Sequence, residues 1–544
     1  MRVTGGEAVV RSLVAEGVDT LFGLPGIQND WLYNALYDAR DQVRVIHTRH
    51  EQGAAYMALG YALASGGIGV YNVVPGPGFL NATAALSTAY ALNARVFCLA
   101  GQIPLAAIGR DGGVLHEIPD QLGVMRSLTK WAARATTVAE IPKLIADGFA
   151  ALRSGRPRPV GLEVPMDVLA ARGEVCAVRS AAPATSAPVN DEQIEAAARR
   201  LAEAKRPLIW VGSGAHDASK TIRALADHLQ APVASYRTGR GVADSRHHLT
   251  VVQPQAHALW AETDVVLAIG THMRVPLQSW GVDDGMTVIR VDVDPEPSAR
   301  GETSSMAVTA RAEDAVPRLL ARIAELIPPR PSRMEEFNAL AARWAEERAF
   351  LQPQTSYLEV IRAALGEHGI FVDELTQVGF SARVVLPVYH PRTFISTGYQ
   401  GTLGYGFQTA LGVKVARPEV PVVSVSGDGG FLFGIQELAT AVQHGIAVIA
   451  IVFNNNQYGN VQHMQRGLYG GRVIASDLRN PDFQRLAEAF GARGYRAETP
   501  ALLAEALREA VTAGGPVVIE VPCGDMPDVD RFRKLPRVRG RSST

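Results

Sequence analysis

Cysteine is almost missing from this chain: three in 544 residues, Cys98, Cys176 and Cys523. Three cysteines so far apart build no disulfide framework and no Cys-x-x-Cys metal knuckle. A reducing compartment follows as the default, and the cytoplasm is the expected location. An excess of either charge is missing too, with 53 Lys and Arg against 54 Asp and Glu. A dedicated nucleic-acid binder should be clearly basic, so that class is excluded. The near-neutral balance also puts no charge brake on self-association. Long hydrophobic runs are absent: Ile446 to Phe453 is the longest. A membrane-crossing helix needs roughly 18 residues or more, so no membrane partner is expected. The first residues, Met1-Arg2-Val3-Thr4-Gly5-Gly6-Glu7, lack the apolar stretch of a secretion signal. With 47% hydrophobic and 20% charged residues, global disorder is excluded as well.

What is present is an alternation. Short β-branched runs such as Val43–Ile46, Val96–Leu99, Leu208–Val211, Val265–Ile269, Val288–Val291, Val422–Val425 and Val448–Phe453 are separated by Ala- and Leu-rich helical stretches. Near-continuous apolar strands between helices mean parallel sheets covered on both faces. The expected fold class is α/β, with three doubly wound parallel-sheet domains. Two Pro-rich polar stretches mark the boundaries: RGEVCAVRSAAPATSAPVND, within residues 171–192, and IPPRPSR at 327–333. The implied domains are 1–170, 190–325 and 350–525, followed by a basic tail over 526–544. Arg531 to Arg541 holds five Arg and one Lys. A solvated tail and a flap over an active site are the two readings open for it.

The third domain carries the strongest chemical signal. Strand Val422–Val425 runs into Ser426-Gly427-Asp428-Gly429-Gly430, and the next apolar strand ends in Asn454-Asn455-Asn456. Asp428 and Asn455 lie 27 residues apart, one βαβ step. Both therefore fall at the carboxyl ends of parallel strands, where open α/β sheets bind ligands. A carboxylate and an amide oxygen there suit a hard, oxygen-ligated cation. Gly427, Gly429 and Gly430 let backbone N–H groups approach phosphate oxygens. One site thus holds Mg²⁺ and a diphosphate together.

GDGGF followed by LATAVQHGIAVIAIVFNNNQYG resembles the thiamine-diphosphate-binding motif of the acetolactate synthase and pyruvate decarboxylase superfamily. Further pieces match in order: FGLPG at 22–26, RHEQGAAYMALGYA at 49–62, PGPGFLN at 75–81, GQIP at 101–104, GRPRPVGLEVPMDV at 155–168, GTLGYGFQTALG at 401–412 and NPDFQRLAEAFGARG at 480–494. The resemblance implies a pyrimidine-binding domain, a central domain and a diphosphate-binding domain. It implies that Glu51 hydrogen-bonds N1′ of the aminopyrimidine and activates the cofactor. It also implies that Pro25 and Gly26 lie against that ring and that Leu403, with Gly401 beside it, wedges beneath the cofactor. Gln377 is implied near the diphosphate, and the backbone carbonyl of Gln457 in the metal shell beside Asp428 and Asn455.

The substrate side is mixed. Acetolactate synthases usually carry Phe-Gln-Glu where this chain has Leu115-His116-Glu117. Pyruvate-type decarboxylases place a His-His pair there, and His116 matches its first member. An imidazole near the reacting carbonyl can relay protons close to neutral pH. Ile27 and Gln28 occupy the other substrate-facing position, where Ile27 is closer to the 2-hydroxyacyl-CoA lyase and oxalyl-CoA decarboxylase pattern. His463 follows Asn455 by eight residues and is a further candidate for the pocket. His247, His248 and His272 read as surface or core residues. VGSGA at 211–215 and VDVDP at 291–295 are weak nucleotide signals. The Arg-Phe-Asp-Asp-Arg stretch of FAD-binding acetolactate synthases is missing, which argues against FAD. The expected activity is acetolactate-synthase-like: decarboxylation of a 2-oxo acid, or cleavage of an acyloin-like substrate, with carboligation. A simple 2-oxo acid decarboxylase or aldehyde lyase is the alternative, and a non-catalytic binding protein a remote one. Relatives share active sites between subunits, so a homodimer or homotetramer is implied.

Overall fold

A computed structural model describes residues 1–176, 188–294 and 306–540. Most of the first linker, Pro295 and Arg541 lie outside the described residues. Three six-stranded sheets form, each flanked by helices. In the first, the strands run in the order Arg44–His47, Thr20–Gly23, Gly69–Val73, Val96–Gln102, Val160–Pro165, Trp131–Arg134, all parallel. The second runs Thr250–Val252, Val233–Ser235, Pro207–Val211, Val265–Ile269, Thr287–Asp292, Met306–Thr309, again all parallel. The third runs Phe394–Ile395, Ile370–Asp373, Val422–Gly427, Ile449–Asn454, Val517–Pro522, Arg493–Arg496. The expected α/β class and its three parallel sheets are what the chain forms. The cause is burial on both faces: all seven residues of Val96–Gln102 and all five of Val265–Ile269 are buried.

The chain forms two compact units. One comprises Met1–Thr185, Val372–Thr376 and Thr397–Cys523, and the other Ser186–Phe371, Gln377–Ser396 and Gly524–Thr544. Inside the first unit, helix Glu51–Ser65 packs on helix Tyr405–Ala416. Both helices are rich in small apolar residues around their whole circumference, as suits a fully buried helix. At their crossing the backbones nearly touch. A Cβ on Gly60 would sit 2.0 Å from the Thr409 carbonyl oxygen, and one on Gly412 would sit 1.9 Å from that of Met57. Only glycine fits at these two points.

Within the second unit, the described part of the basic tail, residues 526–540, is anchored by hydrogen bonds. Backbone N–H groups of Val538 and Arg539 donate to the Trp280 carbonyl, both at 2.9 Å. The Arg539 guanidinium donates to the carbonyls of Trp260, Ala261 and Thr263 at 2.9, 2.7 and 2.6 Å, and to Asp283 at 2.7 Å. The first two of those carbonyls close the helix Gln253–Leu259, where a cation complements the helix dipole.

Candidate active site

The order of the first sheet reverses between Thr20–Gly23 and Gly69–Val73. A crevice opens at such a switch point, outside the carboxyl ends of the strands. The loops after these strands carry Pro25-Gly26-Ile27-Gln28 and Pro75-Gly76-Pro77-Gly78. They interlock closely. A Cβ on Gly26 would meet Val74 Cγ1 at 2.5 Å, and one on Gly78 would meet Val74 Cγ2 at 2.5 Å and Glu51 Oε1 at 3.3 Å. Glu51 opens its helix right after the neighbouring strand, and its Oε2 accepts from Asn81 Nδ2 at 3.0 Å. Its other oxygen keeps no hydrogen bond among the described residues. Glu437 holds the approach to that helix: its carboxylate accepts from the backbone N–H groups of Arg49 at 3.1 Å and His50 at 2.9 Å. Burial raises the Glu437 carboxyl above its ordinary range, against the lowering by these hydrogen bonds.

The segment with Leu115 and His116 lies on the same rim. Gln28, buried in the turn Ile27–Asn29, donates from Nε2 to the Leu115 carbonyl at 3.1 Å. Its Oε1 stands 3.0 Å from His116 Nδ1. His116 has φ +70°, left-handed for a residue with a side chain, at a cost of roughly 1–2 kcal/mol. Gly76 packs beneath it, where a Cβ would come within 2.3 Å of the His116 carbonyl oxygen. Leu115 and Ile27 are exposed at 60% and 56%, so two large apolar side chains stand open to solvent.

The third sheet supplies a different surface. Gly427 pairs with Phe453, so Asp428 and Asn454 stand side by side where the two strands end. Asn480 Nδ2 donates to Asp428 Oδ2 at 2.6 Å and faces Asn454 Oδ1 at 3.0 Å and Asn456 Oδ1 at 3.3 Å. One amide nitrogen has two hydrogens, yet three oxygens converge on it. That donor set of one carboxylate and neutral oxygens fits a hard cation such as Mg²⁺. Among the described residues no cluster of three His, Cys, Asp or Glu forms, so a zinc-type site is not built. Burial raises the Asp428 carboxyl above its ordinary range, against hydrogen bonds that include the backbone of Gly429 and Gln457. Asn455 lies outside the converging set, its amide nitrogen near Gly459.

Beneath the glycine turn sits Glu374, which sequence reasoning did not single out. It is fully buried and accepts from the Gly404 N–H at 2.7 Å, the Gly406 N–H at 3.0 Å and Ser426 Oγ at 2.8 Å. Burial pushes its carboxyl up to about 7, although these hydrogen bonds pull the other way. Gly430 has room only for hydrogen, because a Cβ there would lie 2.2 Å from Glu374 Oε1. Leu403 is half-buried between Gly401 (φ +60°) and Gly404 (φ +78°), left-handed positions that hold it in a tight loop. The neighbouring Thr402 hydroxyl meets that of Thr88 at 3.1 Å.

Two further expectations concern Gln377 and His463. Gln377 opens the helix Gln377–Val385, in the second unit. His463 is exposed on the helix Gly459–Leu468. In the second unit the glycines of VGSGA have a packing reason: Cβ atoms on Gly212 and Gly214 would come within 2.4 and 2.8 Å of the Gly270 backbone. Sequence reading also passed over Glu437 and Asn480. Asn480 stood in the quoted NPDF motif, but nothing local marks where its amide points.

Comparison with known proteins fits these sites. Residues 3–124, 194–319 and 375–521 match the N-terminal TPP-binding, central and C-terminal TPP-binding domains of thiamine pyrophosphate enzymes. A probable 2-ketoarginine decarboxylase (AruI) of Pseudomonas aeruginosa is 33% identical, over 95% of this chain and 94% of its own. A probable acetolactate synthase large subunit of Methanocaldococcus jannaschii is 32% identical, over 95% and 91%. The acetolactate synthase isozyme 3 large subunit of Escherichia coli is 30% identical, over 94% and 92%. The chain belongs to the thiamine pyrophosphate enzymes. Within them it is an acetolactate-synthase-like carboligase or decarboxylase that depends on thiamine diphosphate. No described helix is long and apolar enough to cross a membrane.

Proposed function

We propose that this chain is a cytoplasmic, Mg²⁺-dependent decarboxylase of a small 2-oxo acid that releases an aldehyde. The observation that carries the reading is the hydrogen bond between His116 Nδ1 and Gln28 Oε1, which holds an imidazole on the rim beside Glu51's loops. Bound thiamine diphosphate supplies the nucleophilic carbon and the electron sink for cleaving the bond next to the carbonyl. Glu51 holds a proton against the aminopyrimidine N1′ through its unbonded oxygen, with Asn81 fixing the other. Pro25 and Gly26 line the ring, and Leu403 supports the cofactor from below. Backbone N–H groups of Gly427, Gly429 and Gly430 take the diphosphate oxygens. Asp428, Asn455 and the Gln457 carbonyl hold Mg²⁺. For that, Asn455 turns toward Asp428, and Asn480 gives up its central place. Ile27 and Leu115 border the substrate, Gln28 backs His116, and His116 exchanges the proton that product formation needs. The central domain works without FAD. A homodimer or homotetramer with shared active sites is the assembly we infer.

Carboligation is the second reading. It is favoured by acetolactate synthase relatives covered over more than nine-tenths of their length. The test is product NMR of the purified protein with thiamine diphosphate, Mg²⁺ and, in separate reactions, pyruvate and 2-ketoarginine. An aldehyde from either acid supports the decarboxylase reading. Acetolactate from pyruvate replaces it with the carboligase. Release of no CO₂ from either acid, with cofactor bound, overturns decarboxylation of these 2-oxo acids and moves the search to acyloins and acyl-CoA substrates.

A further inference from the structure

The Gln28 amide can sit in only one orientation. The Leu115 carbonyl oxygen accepts hydrogen bonds and cannot donate, so the group facing it at 3.1 Å is the Nε2 amine. That leaves Oε1 facing His116 Nδ1 at 3.0 Å. An amide oxygen only accepts, so Nδ1 carries the hydrogen. In the neutral imidazole the lone pair then resides on Nε2. Nε2 makes no hydrogen bond among the described residues, so nothing competes for it. The backbone reinforces the arrangement: His116 is held at φ +70°, with Gly76 pressed against its carbonyl. Gln28 is itself 3% exposed and sits in a turn whose Asn29 is anchored to Asn72 at 2.9 Å. The Gln28 side of the clamp is therefore part of the sheet's own framework, while the imidazole is half-buried.

We propose that Gln28 is a positioning residue that fixes His116 as the Nδ1–H tautomer, so that Nε2 alone exchanges protons with the substrate. The inference rests on the reading of His116 given above and deepens it. Gln28 touches the imidazole and acts through it. The proton comes from water, binds at Nε2 and passes from there to the carbon that has lost CO₂, so the Nδ1–H bond to Gln28 is kept throughout.

The test uses the full-length holoenzyme with ¹⁵N-labelled histidine, His116→Gln identifying the His116 signals. In its neutral form, wild-type His116 should show a protonated Nδ1 and an unprotonated Nε2. Gln28→Met keeps the bulk but offers no oxygen, and should move the ring to a tautomer mixture. It should also lower kcat roughly tenfold with little change in KM, a part of the 10²–10⁴ that a positioned acid–base group contributes. Gln28→Asn, which shortens the amide, should not restore the wild-type spectrum. A wild-type ring protonated at Nε2, or a spectrum unmoved by Gln28→Met, overturns the clamp. The functional half fails separately: if His116→Gln turns over at the wild-type rate while the wild-type ring is Nδ1-protonated, the tautomer stands and its catalytic use is wrong.

Discussion

The first and third sheets, counted by their own strands, share the order 2-1-3-4-6-5, yet their crevice loops carry different chemistry. The first presents a carboxylate, an imidazole and prolines, to which we assign the organic ring and its protons. The third presents glycine turns and neutral oxygens around one aspartate, to which we assign the phosphate and the cation. The middle sheet has the order 3-2-1-4-5-6, and the glycines at its switch point are spent on contact between backbones. A shared topology therefore fixes where a site can be and says nothing about what it does. Helix Glu51–Ser65 and helix Tyr405–Ala416 tie the first and third sheets into one unit, so the two chemistries come on one scaffold.

The comparison breaks most sharply at the two carboxylates. Glu51→Gln should leave thiamine diphosphate binding near the wild-type value and lower turnover by 10²-fold or more, the scale of a lost acid–base group. Proton exchange at the cofactor's C2, followed by NMR, should stop in that variant. Turnover at the wild-type rate would show that Glu51 is not the activating acid. Asp428→Ala should do the reverse and act on binding. Calorimetry with Mg²⁺ present should show affinity for thiamine diphosphate falling by roughly 10- to 100-fold or more, since even outer partners of a metal site are worth that much. Equal binding by wild type and Asp428→Ala would remove the cation from this loop.

Much of this division was legible in the chain. Buried strands announced themselves as β-branched runs, and GDG with NNN one βαβ step later marked the third sheet's crevice. Glu374 was not legible, because its partners are backbone N–H groups at 404 and 406 and a hydroxyl at 426. Any residue type supplies a backbone N–H, so no local pattern records the contact. Glu437 escaped for the same reason. Asn480 escaped because its partners, Asp428, Asn454 and Asn456, lie 24 to 52 residues away and only the fold gathers them. The Arg-rich tail stayed open between a solvated end and a flap, because composition shows charge and not the row of carbonyls that Arg539 meets.

Glu374 sharpens the comparison through pH. Its folded carboxyl titrates at about 7 against an ordinary value of 4.5, a raised carboxylate. Its contribution to stability is complete below about pH 4.5 and is lost as pH rises through 7. Denaturant unfolding of the cofactor-free protein at pH 5 and pH 8 should therefore show wild type losing more stability on going to pH 8 than Glu374→Gln does. Parallel losses would mean that the carboxyl is already ionised at pH 5.

The smallest effect tests the region outside both crevices. Arg539→Ala removes four hydrogen bonds to three carbonyls and Asp283. Charged hydrogen bonds are worth about 1.5–3 kcal/mol each where a buried partner is left unsatisfied, and much less where water replaces the guanidinium. Asp283 is partly open to solvent and Ala261 is exposed, whereas Trp260 and Thr263 are buried, so the loss should be about 2–3 kcal/mol in total, read as a lower melting temperature. Activity at 25 °C should not change, because every partner of this side chain belongs to the second unit's own framework. A flap over the substrate would give the opposite pattern, a raised KM with the melting temperature intact. Arg539→Lys discriminates further: a lysine keeps the charge near the helix end but cannot fork across four acceptors, and should recover only part of the loss.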